Sequence, residues 1–231
     1  MITLYYIFLE LNSAVVNIIK KELKIEWRQR YAINGILLYL ISTIFICYLS
    51  FNVRTNVLQP ITWNALFWII QLFVAINAIA KSFIQEREGR YLYYYNLFSP
   101  QALIIARTIY NSLLMLVLSL LGFVIYSVIL GNPIEDISLF IINTLLAAVS
   151  FSFSLTMISA IASKANNSQT LMAILGFPVI LPMLLMIIKI SMNAIDGLAL
   201  SASYQEILTL LAINMIVATA SYILFPYLWR N

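Results

Sequence analysis

The residues able to do chemistry in this chain are few, and their types exclude more than they allow. Among 231 residues there are thirteen Lys and Arg, nine Asp and Glu, one Cys and no His. Without histidine the chain has no imidazole general base and no His-held zinc or haem iron. Cys47 is alone, so an intrachain disulfide is impossible. Within its apolar run it is better read as a small buried hydrophobe than as a metal ligand. No nucleophile–base pair, metal cluster or GxxxxGK[ST] phosphate loop is visible, so the chain is not expected to be an enzyme or to hydrolyse ATP. What remains is recognition by charge and aromatic surface. It is concentrated in one polar interval, 81–106, which holds Glu86, Arg87, Glu88, Gly89 and Arg90. An apolar run from Tyr91 to Tyr95, then Leu97, Phe98 and Ser99-Pro100, follows directly. One reading is a solvated loop with tyrosines in the lipid headgroup layer. The better one is a short helix against a protein partner, because solvated loops rarely carry so many large apolar side chains. Hydrophobic groups would supply the contact and charges its orientation.

The elements that position this interval are dictated by hydropathy. The chain is 63% hydrophobic and 10% charged, with a mean hydropathy of +0.95. That is too much apolar surface for one water-soluble core, so the bilayer is the expected solvent. The fold class is an all-α integral membrane protein with six transmembrane helices, near 33–51, 61–82, 103–130, 137–162, 169–190 and 206–228. The whole chain is expected to form one domain. The net charge of +4 is no nucleic-acid footprint, because the basic residues flank apolar spans.

Topology follows from those basic residues. Lys20, Lys21, Lys24, Arg28 and Arg30 precede the first span. Lys81, Arg87, Arg90, Arg107, Lys164 and Arg230 fall on the same side, leaving only Arg54 and Lys189 opposite. By the positive-inside rule both termini, and the loop at 83–102, are expected to be cytoplasmic. The N-terminal segment, 1–31, reads poorly as a cleaved signal peptide, since it lacks a basic start and carries Glu10 and Asn12. On a helix, Lys20, Lys21, Lys24 and Arg28 share one face, opposite Val15, Ile18, Ile19 and Leu23. This is either an interfacial helix with its basic face toward anionic lipid or a plain topogenic flank. Glu22 and Glu26 interrupt the apolar face and suit a protein contact better than lipid.

Polar residues inside the spans have two readings each. Asn64 and Gln71 share a face of the second span, with Asn77 on another; they bond a neighbouring helix or line a polar path. Trp63 and Trp68 stand near the start of that span, as interfacial aromatics do. Ser150, Ser152 and Ser154 suit close helix packing. In the fifth span Gly176, Pro178 and Pro182 predict a bend or break, either a static kink or part of a polar cavity. A loop is expected over 189–205, with room for a short helical stretch.

Taken in order, these residues resemble a known family. E-R-E-G at 86–89 preceded by a span, then the leucine and aromatic stretch, then Ser99-Pro100 before the next span, is similar to ABC-2-type exporter permeases. Within them the closest likeness is to the haem exporter B family of cytochrome c maturation (CcmB). The likeness includes K-K-E-L-x-x-E-W-R-x-R at 20–30 and L-x-F-P-x-x-L-P at 175–182, and leaves out roughly the first sixteen residues. In one respect the loop departs from the general ABC-2 pattern: Gly89 is followed by Arg90, Tyr91 and Leu92, without the later Glu of that pattern.

The resemblance implies a permease subunit of an ABC exporter acting in haem delivery for cytochrome c biogenesis, in the bacterial inner membrane. It implies that Glu86, Arg87, Glu88, Gly89, Arg90, Tyr91 and Pro100 couple to a separate cytoplasmic ATPase, which binds the ATP. The other implied partners are a second copy of the chain, a haem-handling membrane protein and a periplasmic haem chaperone. Haem is expected as substrate of the complex rather than as a cofactor of this chain, because the chain has no histidine to ligate it. The chain would drive haem export or release of the haem chaperone. Two alternatives remain: an ABC-2 permease for a lipid, polysaccharide or drug, and a membrane scaffold that does not transport.

Overall fold

The computed structural model describes residues 14–25, 28, 31–52, 58–79, 99–164 and 168–230. Among these, seven α-helices and one 3₁₀ turn are found. Helix α1 covers 14–25. The others are α2 (Tyr31–Asn52), α3 (Pro60–Ile79), α4 (Pro100–Leu130), α5 (Ile137–Ala162), α6 (Ser168–Ile195) and α7 (Tyr204–Arg230). The 3₁₀ turn, Leu200–Ser203, leads into α7. Helices α2 to α7 are each long and apolar enough to cross a membrane.

Local sequence sets the helix ends. Ser99 is extended (φ −67°, ψ 145°) and its hydroxyl accepts the Ala102 N–H at 3.3 Å, while Pro100 takes the first helical position, where its missing N–H costs nothing. So α4 begins at Pro100, three residues before the expected start of the span. It ends at Gly131, whose φ of 80° suits a residue without Cβ. Asp136 caps α5, accepting the Leu139 N–H at 3.0 Å. Helix α6 is continuous through Pro178 and Pro182, so the sequence prolines do not break it. It also runs past Lys189 to Ile195, well into the interval expected to be a loop. The expected short helical stretch is the 3₁₀ turn after it.

Bonds between helix ends fix the alternation. The Trp63 indole donates to Gly131 O at 2.9 Å, joining the start of α3 to the end of α4. Asp136 N–H donates to Ala194 O at 2.9 Å, joining the start of α5 to the end of α6. At the other end, Val15 and Ile18 of α1 share a buried cluster with Ala102, Leu103, Ile104 and Ala106 of α4, Ala160 of α5 and Phe225 of α7. The bundle therefore has an α1 end and a far end. Helix α5 is the hub, packing on α3, α4, α6 and α7. Its buried Ser150, Ser152, Ser154 and Ala147, Ala148 permit this close approach. Helices α2 and α7 lie outermost, with Leu38 and Leu208 largely exposed to the surrounding apolar phase.

Candidate functional site

The site indicated by the sequence is the loop between α3 and α4 and the surface that receives it. Glu86, Arg87, Glu88, Gly89, Arg90 and Tyr91 lie outside the described residues, as do Glu26 and Arg30. What the structure does place is each anchor of the loop. Ile79, the last residue of α3, is fully buried. Ser99 and Pro100 open α4, and the helix is buried almost from its first turn: Ala102, Leu103, Ile104, Ala106 and Arg107 are all at most 3% exposed. From Ser99 on, the chain is a capped helix seated among three neighbours, α1, α5 and α7.

Helix α1 is one of those neighbours. Val15 and Ile18 point into the bundle, whereas Lys20, Lys24 and Arg28 are exposed and Lys21 is partly so. Leu23 does not follow the apolar face and is 51% exposed. Glu22, awkward against lipid, has a protein environment within the chain. Its Oε1 lies 3.4 Å from Lys21 Nζ and 3.9 Å from Arg107 Nη2. Arg107 is buried in α4, where an isolated guanidinium would be costly; the nearby carboxylate offsets part of that cost. In the sequence Arg107 reads only as a topological charge. The signal that singles it out is its place two turns inside an apolar span, near the interruption at Glu22.

Below this level α4 and α5 are joined by small polar contacts. Asn111 Nδ2 donates to Thr156 Oγ1 at 2.8 Å, Ser112 Oγ donates to Ser152 Oγ at 3.0 Å, and Ser152 Oγ reaches Thr108 O at 3.3 Å. Asn214 of α7 donates to Ser150 Oγ at 2.8 Å. The polar side chains of these spans thus serve helix contacts.

The far half is built differently. Trp63 and Trp68 are not interfacial: both are 1% exposed. Their indole N–H groups are satisfied inside the bundle, by Gly131 O and, at 2.8 Å, by Ser191 Oγ. Ser191 Oγ in turn donates to Asn64 Oδ1 at 2.7 Å, and Asn64 Nδ2 donates to Ile188 O. Asn143 of α5 donates to Ile187 O at 2.9 Å. The extended end of α6 is therefore held from two sides, and Lys189 forms an ion pair with Glu206 of α7. Around these bonds Trp63, Phe67, Phe123, Tyr126 and Phe140 form one aromatic cluster, with the Trp63–Tyr126 centroids 4.8 Å apart, edge to face. Gln71, on the face it shares with Asn64, donates to Ser119 O at 3.3 Å. Asn77, on another face, returns to Phe73 O of its own helix at 2.8 Å.

Among the described residues no group of three or more His, Cys, Asp or Glu could hold a metal ion. Cys47 is half-buried and free. Gly176 has room for a Cβ, with nothing closer than Ile180 Cδ1 at 3.4 Å.

The family profile described as CcmB protein matches residues 13–226. The chain belongs to the CcmB family. No curated protein matches it. The matched region begins at α1 and closes near the end of α7, so it takes in every described helix. CcmB is a permease family, not an enzyme family, and membership implies a multi-pass membrane protein with a haem-export role in cytochrome c maturation. The family works within an ABC transporter system that includes an ATPase.

Proposed function

We propose that this chain couples a separate cytoplasmic ATPase to haem export, or to release of a periplasmic haem chaperone, through the loop at 83–102. In this reading the α1 end is cytoplasmic, both termini lie there, and the membrane is the bacterial inner membrane. ATP is bound and hydrolysed on the partner. A second copy of this chain and a haem-handling membrane protein complete the assembly. Haem is cargo, and any iron ligation falls to the other subunits, because no histidine is present in this chain.

The observation that carries the reading is the seating of α4. The helix is capped by Ser99 and started by Pro100, and its first turns are buried against α1, α5 and α7. At 1.5 Å per residue its 31 residues extend roughly 46 Å. A displacement of the loop swings the α1 end of this helix about its held far end, a rigid-body change of the kind used in alternating access.

The test is Glu86→Ala with Glu88→Ala. Membrane insertion is expected to be unchanged, while ATPase co-purification or cytochrome c maturation is lost. Normal maturation in the double variant contradicts the coupling role. Recovery of a loop-binding partner with no nucleotide-binding activity supports the scaffold alternative instead.

A further inference from the structure

Helix α6 carries Pro178 and Pro182 within an unbroken helix. A proline has no N–H, so Pro178 cannot donate to Ile174 O, nor Pro182 to Pro178 O. Each of these carbonyls therefore lacks its donor four residues on. The two stand one turn apart on the same side of the helix. At 1.5 Å per residue they lie about 9 and 15 Å from the start of a helix about 42 Å long, within a hydrocarbon core of roughly 30 Å. Elsewhere on α6, neighbouring helices do donate to carbonyls: Asn143 reaches Ile187 O and Asn64 reaches Ile188 O. Among the described residues no side chain donates to Ile174 O or Pro178 O.

The surface around these carbonyls faces out of the bundle. Between Thr170 and Lys189, the exposed residues described on α6 are Ile174, Phe177, Pro178, Leu181, Pro182 and Leu185. All are apolar, which does not suit the wall of a hydrated path. Lipid does not complete the face either, because an acyl chain has no donor and a carbonyl in hydrocarbon must be met by one. Symmetric packing on a second copy, α6 against α6, would set acceptors against acceptors. Ser42 of α2 and Thr219 of α7 are outward hydroxyls at about the same depth, but they already donate to Leu38 O and Met215 O of their own helices. The complement of this face is a helix of another kind, with a side-chain donor turned toward α6.

We propose that this face of α6 docks a transmembrane helix of a different membrane subunit, which presents an N–H or O–H donor at the depth of Ile174 and Pro178. Phe177 and Leu181 supply the apolar contact, and the two carbonyls fix the register of the partner along α6. The prolines then serve recognition rather than bending, in keeping with the unbroken helix. This docking rests on the multi-subunit membrane assembly proposed above and is independent of coupling through the loop.

The test is photocross-linking in membranes that hold the whole assembly, with p-benzoylphenylalanine in place of Phe177 and the adduct identified by mass spectrometry. The expected adduct lies in a transmembrane segment of a different protein that co-purifies with the assembly and bears a donor side chain at that depth. Pro178→Ala with Pro182→Ala returns an N–H to each carbonyl and keeps the face apolar. It is expected to lower the yield of that adduct roughly three- to tenfold, the range for two interhelical hydrogen bonds in a membrane. Gly176→Ala strengthens the same helix without adding a donor, and is expected to leave the yield unchanged. Where the double variant is not monodisperse, Pro182→Ala alone restores one donor and is read instead. ATPase co-purification is read in parallel. Its absence from the parent bears on the loop, whereas its loss only in the proline variants overturns a role confined to this face. An adduct with a second copy, or with lipid alone, overturns the docking. Undiminished yield in the proline variants, or an equal loss in Gly176→Ala, overturns the part given to the carbonyls.

Discussion

The two ends of this bundle are made of different materials. At the far end, large rings interlock and their polar atoms are bonded inward: Trp63 to Gly131 O, Tyr126 to Trp63 O, Trp68 to Ser191, Asn64 and Asn143 onto α6. At the α1 end, among the described residues, the cluster is mostly alanine and branched aliphatic side chains around a single ring, Phe225, with hydroxyl contacts and the long ion pair of Glu22 with Arg107. Lipid supplies no hydrophobic drive between helices, so stability in the bilayer comes from packing contacts and hydrogen bonds. Large interlocked rings make many such contacts and have few alternative arrangements. Small residues with serine bonds allow helices to slide and re-bond. The far end suits a fixed frame, and the α1 end, where the loop enters α4, suits the part that moves.

The largest expected break in this contrast is Trp68→Ala. It removes a fully buried indole, leaves Ser191 without its donor, and is expected to lower stability by roughly 3–5 kcal/mol in detergent unfolding. Loss of less than about 1 kcal/mol would remove the far end's claim to be the frame. The α1 end is expected to answer differently. Glu22→Gln takes away a partly exposed carboxylate 3.9 Å from the buried Arg107, so the cost in thermal unfolding lies between that of a surface pair and a buried one, about 1–2 kcal/mol. Its effect belongs in coupling: ATP-driven turnover is expected to fall well beyond that small loss. Turnover that merely tracks stability would make the pair a structural strut.

The smallest effect sharpens the contrast through two glycines. A Cβ on Gly122 would sit 2.5 Å from Gln71 Nε2, whereas Gly176 has ordinary room. Gly122→Ala is expected to destabilise by about 1 kcal/mol as the Gln71 amide is displaced from Ser119 O. Gly176→Ala is expected to be neutral or to stabilise by about 0.5–1 kcal/mol, the helix-propensity gain of alanine. Equal responses would mean that the two halves are packed alike.

Much of this architecture is legible in the sequence because lipid enforces it. Six apolar runs of spanning length demand six membrane helices, and Ser99-Pro100 and Gly131-Asn132-Pro133 mark ends by backbone chemistry. What escapes the sequence is pairing across distance. Lys189 reads as the end of a span, but its partner Glu206 and the bonds onto Ile187, Ile188 and Ser191 keep α6 helical to Ile195. Trp63 and Trp68 read as interfacial because position along a span is visible and the acceptors opposite are not. Glu22 is conspicuous as an acid on an apolar face, yet nothing local names Arg107, eighty-five residues on (107 − 22), as its neighbour. Pro178 and Pro182 each delete one donor, and four residues apart they leave the rest of the helical ladder in place.

The central claim, that α4 moves at the α1 end while the far end stays fixed, is tested most directly by locking each half in turn. In a Cys47→Ala background, Ser112→Cys with Ser152→Cys joins α4 to α5 where the hydroxyls are 3.0 Å apart. Asn64→Cys with Ser191→Cys joins α3 to α6 where the polar atoms are 2.7 Å apart. ATP-driven turnover of the reconstituted complex is measured oxidised and reduced. The account predicts that the α4–α5 disulfide abolishes turnover and that reduction restores it, while the α3–α6 disulfide leaves turnover at its reduced level. Full turnover with α4 and α5 covalently joined would contradict it.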